Sequence, residues 1–424
     1  MTNNDVRITS WLPSQLPPGD ARQMENSGEG MQDQSCSITV SRLRSANPSH
    51  CCCQVIPMEE GGCSSGRWMR EEQGEKEEAR WPAGVCGLTN SGNSCYMNAV
   101  LQSLLSTVPL VEHLLSSHTH NLLANPVVGA FVRLFQVVWQ GHTNCTSLRE
   151  VRAMVSSLHP QFDNQSQQDA QELLLVLLNA LHNNLKKKGA RLLTRSTQRS
   201  RCGRKFAGAP SAPAESSVVT CLFEGQLSYQ TLCGHCEEHT HSTQVFTVLS
   251  LPLPTDAHKC SLQDCLSLFF QQCTLTCGDQ KLCPQCGVKR DTAVLTSLAE
   301  APRVLVLHLQ RFGCHGIEKR KLRTNVLFPL EGLDLNPFLS SPSANHTNYS
   351  LYAVVNHTGD LNMGHYTALC RNARSGSWYH FDDATVREVE DFLVQSPNAY
   401  LLLYSRQPFH VPDIPRPDLP CPKT

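Results

Sequence analysis

Charge of one sign is what this sequence lacks most. Its 36 lysines and arginines stand against 37 aspartates and glutamates, for a formal net charge of -1. Replacing the counterions of a nucleic acid needs a basic surface, so no nucleic acid is expected as partner. Long apolar runs are missing too. The greasiest stretch, Ala99 to Leu115, carries Gln102, Glu112 and His113 and reads as buried helix, so no membrane span is expected. The opening MTNNDVRITSWLPSQLPP has neither the basic nor the apolar region of a secretory signal. Cysteine, by contrast, is abundant at 21, an odd number that does not read as a disulfide framework in a chain of 424 residues. A reducing compartment, cytoplasmic or nuclear, is the expectation.

Organisation follows from texture. Residues 1–82 lack hydrophobic periodicity, are rich in Ser, Gly, Pro, Glu and Gln, and end in a charged run from Arg70 to Glu78, the pattern of a disordered arm. From Cys95, the residues Tyr96, Met97, Val100, Leu101, Leu104 and Leu105 recur at helical spacing and predict a helix with one buried face. Asn93 and Ser94 sit where N-cap residues belong. Further helices are predicted over Val127 to Trp139, Ser147 to Ser156 and Ser166 to Leu185. The basic, Ser- and Pro-containing stretch 186–217 reads as a flexible insertion, with a nuclear-import patch as the alternative. Beyond it lie short β-like runs: Val218 to Phe223, Gln244 to Leu251, Val304 to His308, Leu351 to Asn356, Tyr366 to Arg371, Trp378 to Phe381 and Ala399 to Tyr404. Helices first and a mostly antiparallel sheet later make an α+β fold with a cleft between its halves. The ordered domain is expected over 83–408, with a Pro-rich tail over 409–424.

Chemistry concentrates at three places. Gly87 to Tyr96, GLTNSGNSCY, is a turn-rich segment that delivers Cys95 to the first turn of a helix. Partial positive charge and unpaired N–H groups there favour a thiolate and can face an oxyanion, and Asn90 offers a further amide donor. A buried structural cysteine is the competing reading. Gly364 to Arg371 and Trp378 to Asp383 read as two strands about a tight turn. If Arg371 pairs with Trp378, Thr367 lies opposite Asp382, and His365 and Asp382 become diagonal neighbours on one face while Asp383 points away. A slip of one residue reverses the choice of acid, so geometry leaves Asp383 open as the orienter or as a water-holding group. Cys233-x-x-Cys236 and Cys283-x-x-Cys286 are two knuckles whose four thiolates suit a closed structural Zn2+ site, while Cys273 and Cys277 form a competing pair.

These residues resemble the ubiquitin-specific proteases. GLTNSGNSCYMNAVLQSL (87–104) is similar to that family's cysteine box, and Gly364-His365-Tyr366 with Trp378-x-x-Phe381-Asp382-Asp383 to its histidine box. Gln167 to Leu173, Leu222 to Gly225, Leu249 to Pro254 and Val304 to Phe312 also match, so the resemblance spans about 83–408. It implies a papain-like thumb–palm–fingers fold, with a helical thumb holding Cys95, a sheet palm holding His365, and zinc-bearing fingers over about 219–295. It implies hydrolysis after the C-terminal glycine of ubiquitin by Cys95, His365 and Asp382, with Asn90 in the oxyanion hole. Asp169, Gln167, His357 and Tyr366 match positions lining the channel for ubiquitin's tail. Ubiquitin and ubiquitinated proteins would be the partners. The alternatives are a ubiquitin-binding scaffold without turnover, or a protease for another ubiquitin-like modifier. Ser94 and Leu173 depart from the commonest threonine and phenylalanine of the family motifs.

Overall fold

The computed structural model describes residues 81–116, 122–140, 145–163, 166–186, 216–315, 318–341, 348–360 and 363–414. The expected N-terminal arm, apart from its last two residues, lies outside the described residues, as do 187–215 of the basic insertion and the tail beyond Ile414.

The helices are α1 (Cys95–Leu105), α2 (Val108–Leu115), α3 (Pro126–Trp139), α4 (Cys145–Leu158), α5 (Ala170–Leu185), α6 (Val218–Phe223) and α7 (Leu262–Phe270). The single greasy run over 99–115 breaks into α1 and α2 at Ser106-Thr107, with Pro109 in the first turn of α2, where proline is tolerated. The break is tied inward by a 2.9 Å hydrogen bond between the Thr107 and Tyr352 hydroxyls. Every residue of α1 is buried, so the expected one-faced helix is instead a central one. It is wedged between the other helices and the large sheet, which its Asn98, Gln102 and Ser103 tolerate because each side chain bonds to a backbone carbonyl. Asn125 caps α3 by accepting from Val127 N and Val128 N, and donates to Asn184 Oδ1 of α5.

The strands are β1 (Gly225–Cys233), β2 (His239–Phe246), β3 (Leu249–Leu251), β4 (Lys259–Ser261), β5 (Cys273–Leu275), β6 (Lys281–Leu282), β7 (Lys289–Arg290), β8 (Thr292–Glu300) and β9 (Val304–Leu309). They continue with β10 (Phe312–His315), β11 (Glu318–Lys321), β12 (Asn325–Leu327), β13 (Leu333–Asp334), β14 (Asn348–Gly359), β15 (Gly364–Arg371), β16 (Trp378–Asp382), β17 (Thr385–Val389) and β18 (Ala399–Ser405). The palm is an eight-stranded sheet ordered β17-β16-β15-β14-β18-β9-β3, with β13 beside β14, and is antiparallel except where β3 meets β9. Strands covered on both faces read as continuous apolar runs, and VLVLHL of β9 is one. Val304 and Val306 face the core shared with the helices; Leu305, Leu307 and Leu309 face a second core that includes Leu262, Leu266 and Phe270 of α7. The fingers are a four-stranded sheet, β2-β1-β8-β5, with the β6–β7 hairpin apart from it.

Two expectations are corrected. Residues 218–223 form helix α6, not a strand: the Ser217 hydroxyl accepts from Thr220 N while Thr220 Oγ1 accepts from Ser217 N, and this capping box outweighs the β-branched Val-Val-Thr. The run predicted over 244–251 is two strands, β2 and β3, which belong to different sheets.

Candidate active site

Cys95 begins α1, only 3% exposed. Ser94 stands at the N-cap position but does not cap the helix. Its hydroxyl serves the preceding loop, accepting from Ser91 N at 3.0 Å and donating to Asn90 Oδ1 at 3.2 Å. Asn90 Oδ1 also accepts from Gly92 N and Ser94 N, each at 3.1 Å, so one side-chain oxygen gathers the turn. The Asn90 amide nitrogen points outward and donates to Asp383 Oδ2 at 2.9 Å.

His365 and Asp382 come from adjacent strands. Arg371 pairs with Trp378 and Ala368 with Phe381, the register required for a His365–Asp382 diagonal. His365 Nε2 lies 2.7 Å from Asp382 Oδ1, both side chains half-exposed. Asp383 turns the other way in a left-handed conformation, φ 51°, a sparsely populated state for a non-glycine residue. Its carboxylate accepts from Asn90 and, at 2.8 Å, from Asn98 Nδ2, while its carbonyl accepts from Leu88 N at 2.8 Å. Asp383 therefore stitches the palm turn to the loop before Cys95 and to the first turn of α1. Gly87 allows that approach: a Cβ there would lie 2.3 Å from Ala384 O. Asn98 was not singled out in the sequence; its spacing of i+3 from Cys95 on a helix was the available signal.

The expected lowering of the Cys95 pKa is not what the structure gives. Burial pushes the thiol up; the Tyr366, Tyr96 and Cys95 backbone N–H groups pull it down, and the nearby Asp383 carboxylate adds to the rise. Burial wins. The thiol lies in a small space with Asn98, Ala99, Gln102, Tyr366, Phe381 and Asp383. Among the described residues, no hydrogen bond joins Cys95 to His365; the His365 ring bonds to Asp382.

The four expected channel residues are brought together beside this centre. Gln167 Oε1 accepts from Gly364 N at 2.7 Å and Gln167 Nε2 donates to Gly364 O at 2.6 Å, joining the helical half to the residue before His365. Asp169 caps α5, accepting from Gln171 N and Glu172 N, and takes a hydrogen bond from the Tyr400 hydroxyl. Rings of His357 and Tyr366 lie 4.5 Å apart, and Phe312 packs on His357 at 5.1 Å. His308 stands against Tyr400, at 4.8 Å. Burial holds both histidines down to about 4, with Asp169 opposing in each case; Lys321 adds to the lowering of His357. Lys321 Nζ is 2.8 Å from His357 Nδ1 and donates to the carbonyls of His357 and Gly359; burial, with Arg311 and Arg323 nearby, lowers it to about 8. Sequence reasoning missed His308 and Lys321 as neighbours of this cluster, although His308 lies in the quoted Val304–Phe312 motif.

At the fingertips Cys233, Cys236, Cys283 and Cys286 place their sulfurs within 4.8 Å of one another; Cys273 and Cys277 are outside the group. The two knuckles share one geometry. Cys233 N donates to Glu238 O and Glu237 N to Cys233 O; Cys283 N donates to Val288 O and Gly287 N to Cys283 O. The residue after each second cysteine is left-handed, Glu237 at φ 57° and Gly287 at φ 68°. Cys233–Cys286 and Cys236–Cys283 sulfur separations are 4.0 and 3.4 Å, close to the roughly 3.8 Å edge of a tetrahedron with metal–sulfur bonds of about 2.3 Å. The donor set fits a structural zinc ion.

Comparison with known proteins agrees with this architecture. Residues 86–404 match the family model described as ubiquitin carboxyl-terminal hydrolase. Ubiquitin carboxyl-terminal hydrolase 2 of Rattus norvegicus is 34% identical over 339 residues, covering 76% of this chain and 54% of the relative. The protein of that name in Gallus gallus is 34% identical over 342 residues, covering 76% of this chain and 93% of the relative. The chain thus spans about half the length of curated relatives such as the rat protein. In fold it is similar to the SAGA Ubp8/Sgf11/Sus1/Sgf73 DUB module bound to ubiquitin aldehyde, with a TM-score of 0.62 at 24% identity over 77% of this chain and 70% of that one. Its helical thumb, sheet palm and knuckled fingers, and the match over most of its length, place this chain in the ubiquitin carboxyl-terminal hydrolase family.

Proposed function

We propose that this chain is a cysteine-type deubiquitinase that hydrolyses the peptide or isopeptide bond after the C-terminal glycine of ubiquitin. The observation that carries this reading is the 2.7 Å His365–Asp382 bond on adjacent palm strands, next to a cysteine at a helix N-terminus. Asp382 holds the imidazole through Nε2, which leaves Nδ1 to take the Cys95 proton. The thiolate attacks the glycine carbonyl, and the oxyanion meets N–H groups at the start of α1 and the Asn90 amide. His365 returns the proton to the leaving amine, a thioester forms, and water activated by His365 then releases the ubiquitin carboxylate. Burial raises the Cys95 thiol, so the proposed step joins thiolate formation to proton transfer onto His365.

Asp169, Gln167, His357 and Tyr366 form the channel for ubiquitin's C-terminal tail, Asp169 supplying negative charge to a basic residue of that tail. Cys233, Cys236, Cys283 and Cys286 would hold a zinc ion, which would tie β1 to the β6–β7 hairpin and stiffen the fingers that grip ubiquitin. The absence of disulfides among the cysteines of the described residues supports a reducing compartment, cytoplasmic or nuclear.

One observation favours a second reading, a ubiquitin-binding scaffold without turnover: no hydrogen bond joins Cys95 to His365 among the described residues. Turnover of a fluorogenic ubiquitin C-terminal amide, lost in Cys95→Ala, separates the two. Parallel assays with other ubiquitin-like modifiers ending in Gly-Gly fix the modifier. Hydrolysis by Cys95→Ala equal to that of the native protein would refute the proposed nucleophile.

A further inference from the structure

Asn90 to Ser94 is the segment on which the proposed chemistry most depends, since it carries the oxyanion amide at one end and abuts Cys95 at the other. Its backbone is unusual: Gly92 at φ 91° and Asn93 at φ 49° are consecutive left-handed residues, so the loop is a shape that needs holding. From within, Asn90 Oδ1 gathers the N–H groups of Gly92 and Ser94. From the palm, Asp383 grips Asn90. From the thumb, one side chain reaches the loop's far face. Arg152 Nη1 donates to Ser91 O at 2.6 Å and to the Ser91 hydroxyl, and Nη2 lies 3.5 Å from Gly92 O.

We infer that Arg152 is a positioning residue for the proposed reaction, bracing the Ser91–Gly92 backbone so that Asn90 and Cys95 keep their places. The mount is rigid. Val151 and Val155 on either side of Arg152 are fully buried, and α4 is joined to α3 by the Arg133–Glu150 ion pair. A planar guanidinium with several donors suits adjacent carbonyls and a hydroxyl, where a single point charge would hold fewer. The role inferred for Arg152 is geometric, carried by its bonds to Ser91 and Gly92.

The inference rests on the reading of Cys95 as nucleophile, and the experiment keeps the two apart. Native protein, Arg152→Ala and Arg152→Lys are compared in turnover of a fluorogenic ubiquitin amide over a range of pH, in thermal melting, and in amide hydrogen exchange. Misplacing reacting groups by about 1 Å costs about a hundredfold. Arg152→Ala is expected to lower kcat by about ten- to a hundredfold with KM within about twofold and an unshifted pH profile. Arg152→Lys, which keeps one donor group but not the planar fork, restores part of kcat. The amides of Ser91, Gly92 and Ser94 exchange faster in Arg152→Ala, while those of the palm core do not. Unchanged exchange in the loop would overturn the brace. Faster exchange with unchanged kcat, or a loss of kcat that Lys does not relieve and that tracks a lowered melting temperature, would overturn its role in positioning. A native protein with no turnover would overturn the proposed reaction, while the exchange data would still decide the brace.

Discussion

The two halves that meet at the candidate site hold their reacting groups in opposite ways. On the thumb side, Cys95 is almost fully buried, on a helix with no exposed residue, and the loop before it is fixed by side-chain bonds from Asn90, Ser94, Asp383 and Arg152. On the palm side, His365 and Asp382 are half-exposed and are brought together by the strand register. The proposed nucleophile is buried, which raises its pKa; the proposed base is open, and one hydrogen bond, to Asp382, orients it. Precision on one side is a network property, and on the other a property of sheet geometry. Asp383 is where the two meet, a palm residue whose carboxylate serves the thumb loop.

That contrast can be broken at successive points. Cys95→Ala removes the nucleophile and should lower turnover at least ~10⁴-fold, read from steady-state kinetics, with the fold intact by circular dichroism. Asp382→Ala should cost about 10³–10⁴ in kcat, because the imidazole then has no acceptor to hold its Nε2–H. Asp383→Asn and Asn90→Ala should each cost about 10²; because they share one bond, the double variant should be hardly worse than either single one. Additive losses would show that Asp383 acts through something other than Asn90. Zinc removal with a strong chelator should abolish protection of the fingertip amides while leaving the palm amides slow to exchange, since metal binding at such a site is folding free energy.

The smallest effect is the pH dependence of stability. His308 and His357 are held near 4 in the folded protein against 6.5 for an ordinary histidine. Between these values the unfolded chain binds more protons, so stability is complete above about pH 6.5 and falls as the pH drops towards 4. Each buried histidine contributes at most about 3–4 kcal/mol to that loss. Melting temperatures measured from pH 7 to pH 4 should fall less steeply in His308→Gln and His357→Gln; an unaltered slope would contradict their neutrality in the fold.

Much of this was legible in the chain, for reasons that differ by element. The His365–Asp382 pair was readable because its two strands and turn are contiguous, so register could be tested against alternation. The palm strands β9 and β18 were readable as apolar runs. Helix α6 was misread because Val218, Val219 and Thr220 are β-branched, although the Ser217–Thr220 capping box was present. Helix α7 was missed with its own signal in place, a Ser261–Asp264 box. The raised Cys95 pKa was not legible, since the helix start is local while the palm that buries it lies some 270 residues on, at Tyr366. Arg152 had no signal at all: nothing in the spacing of an arginine on α4 tells that Ser91 lies across from it.

The most direct test of the central claim is reaction of the reduced, zinc-loaded protein with ubiquitin bearing a C-terminal electrophile, with the adduct located by mass spectrometry. The account predicts one ubiquitin joined to Cys95 and none to Cys95→Ala. An adduct on another cysteine, or none from folded protein, would contradict it.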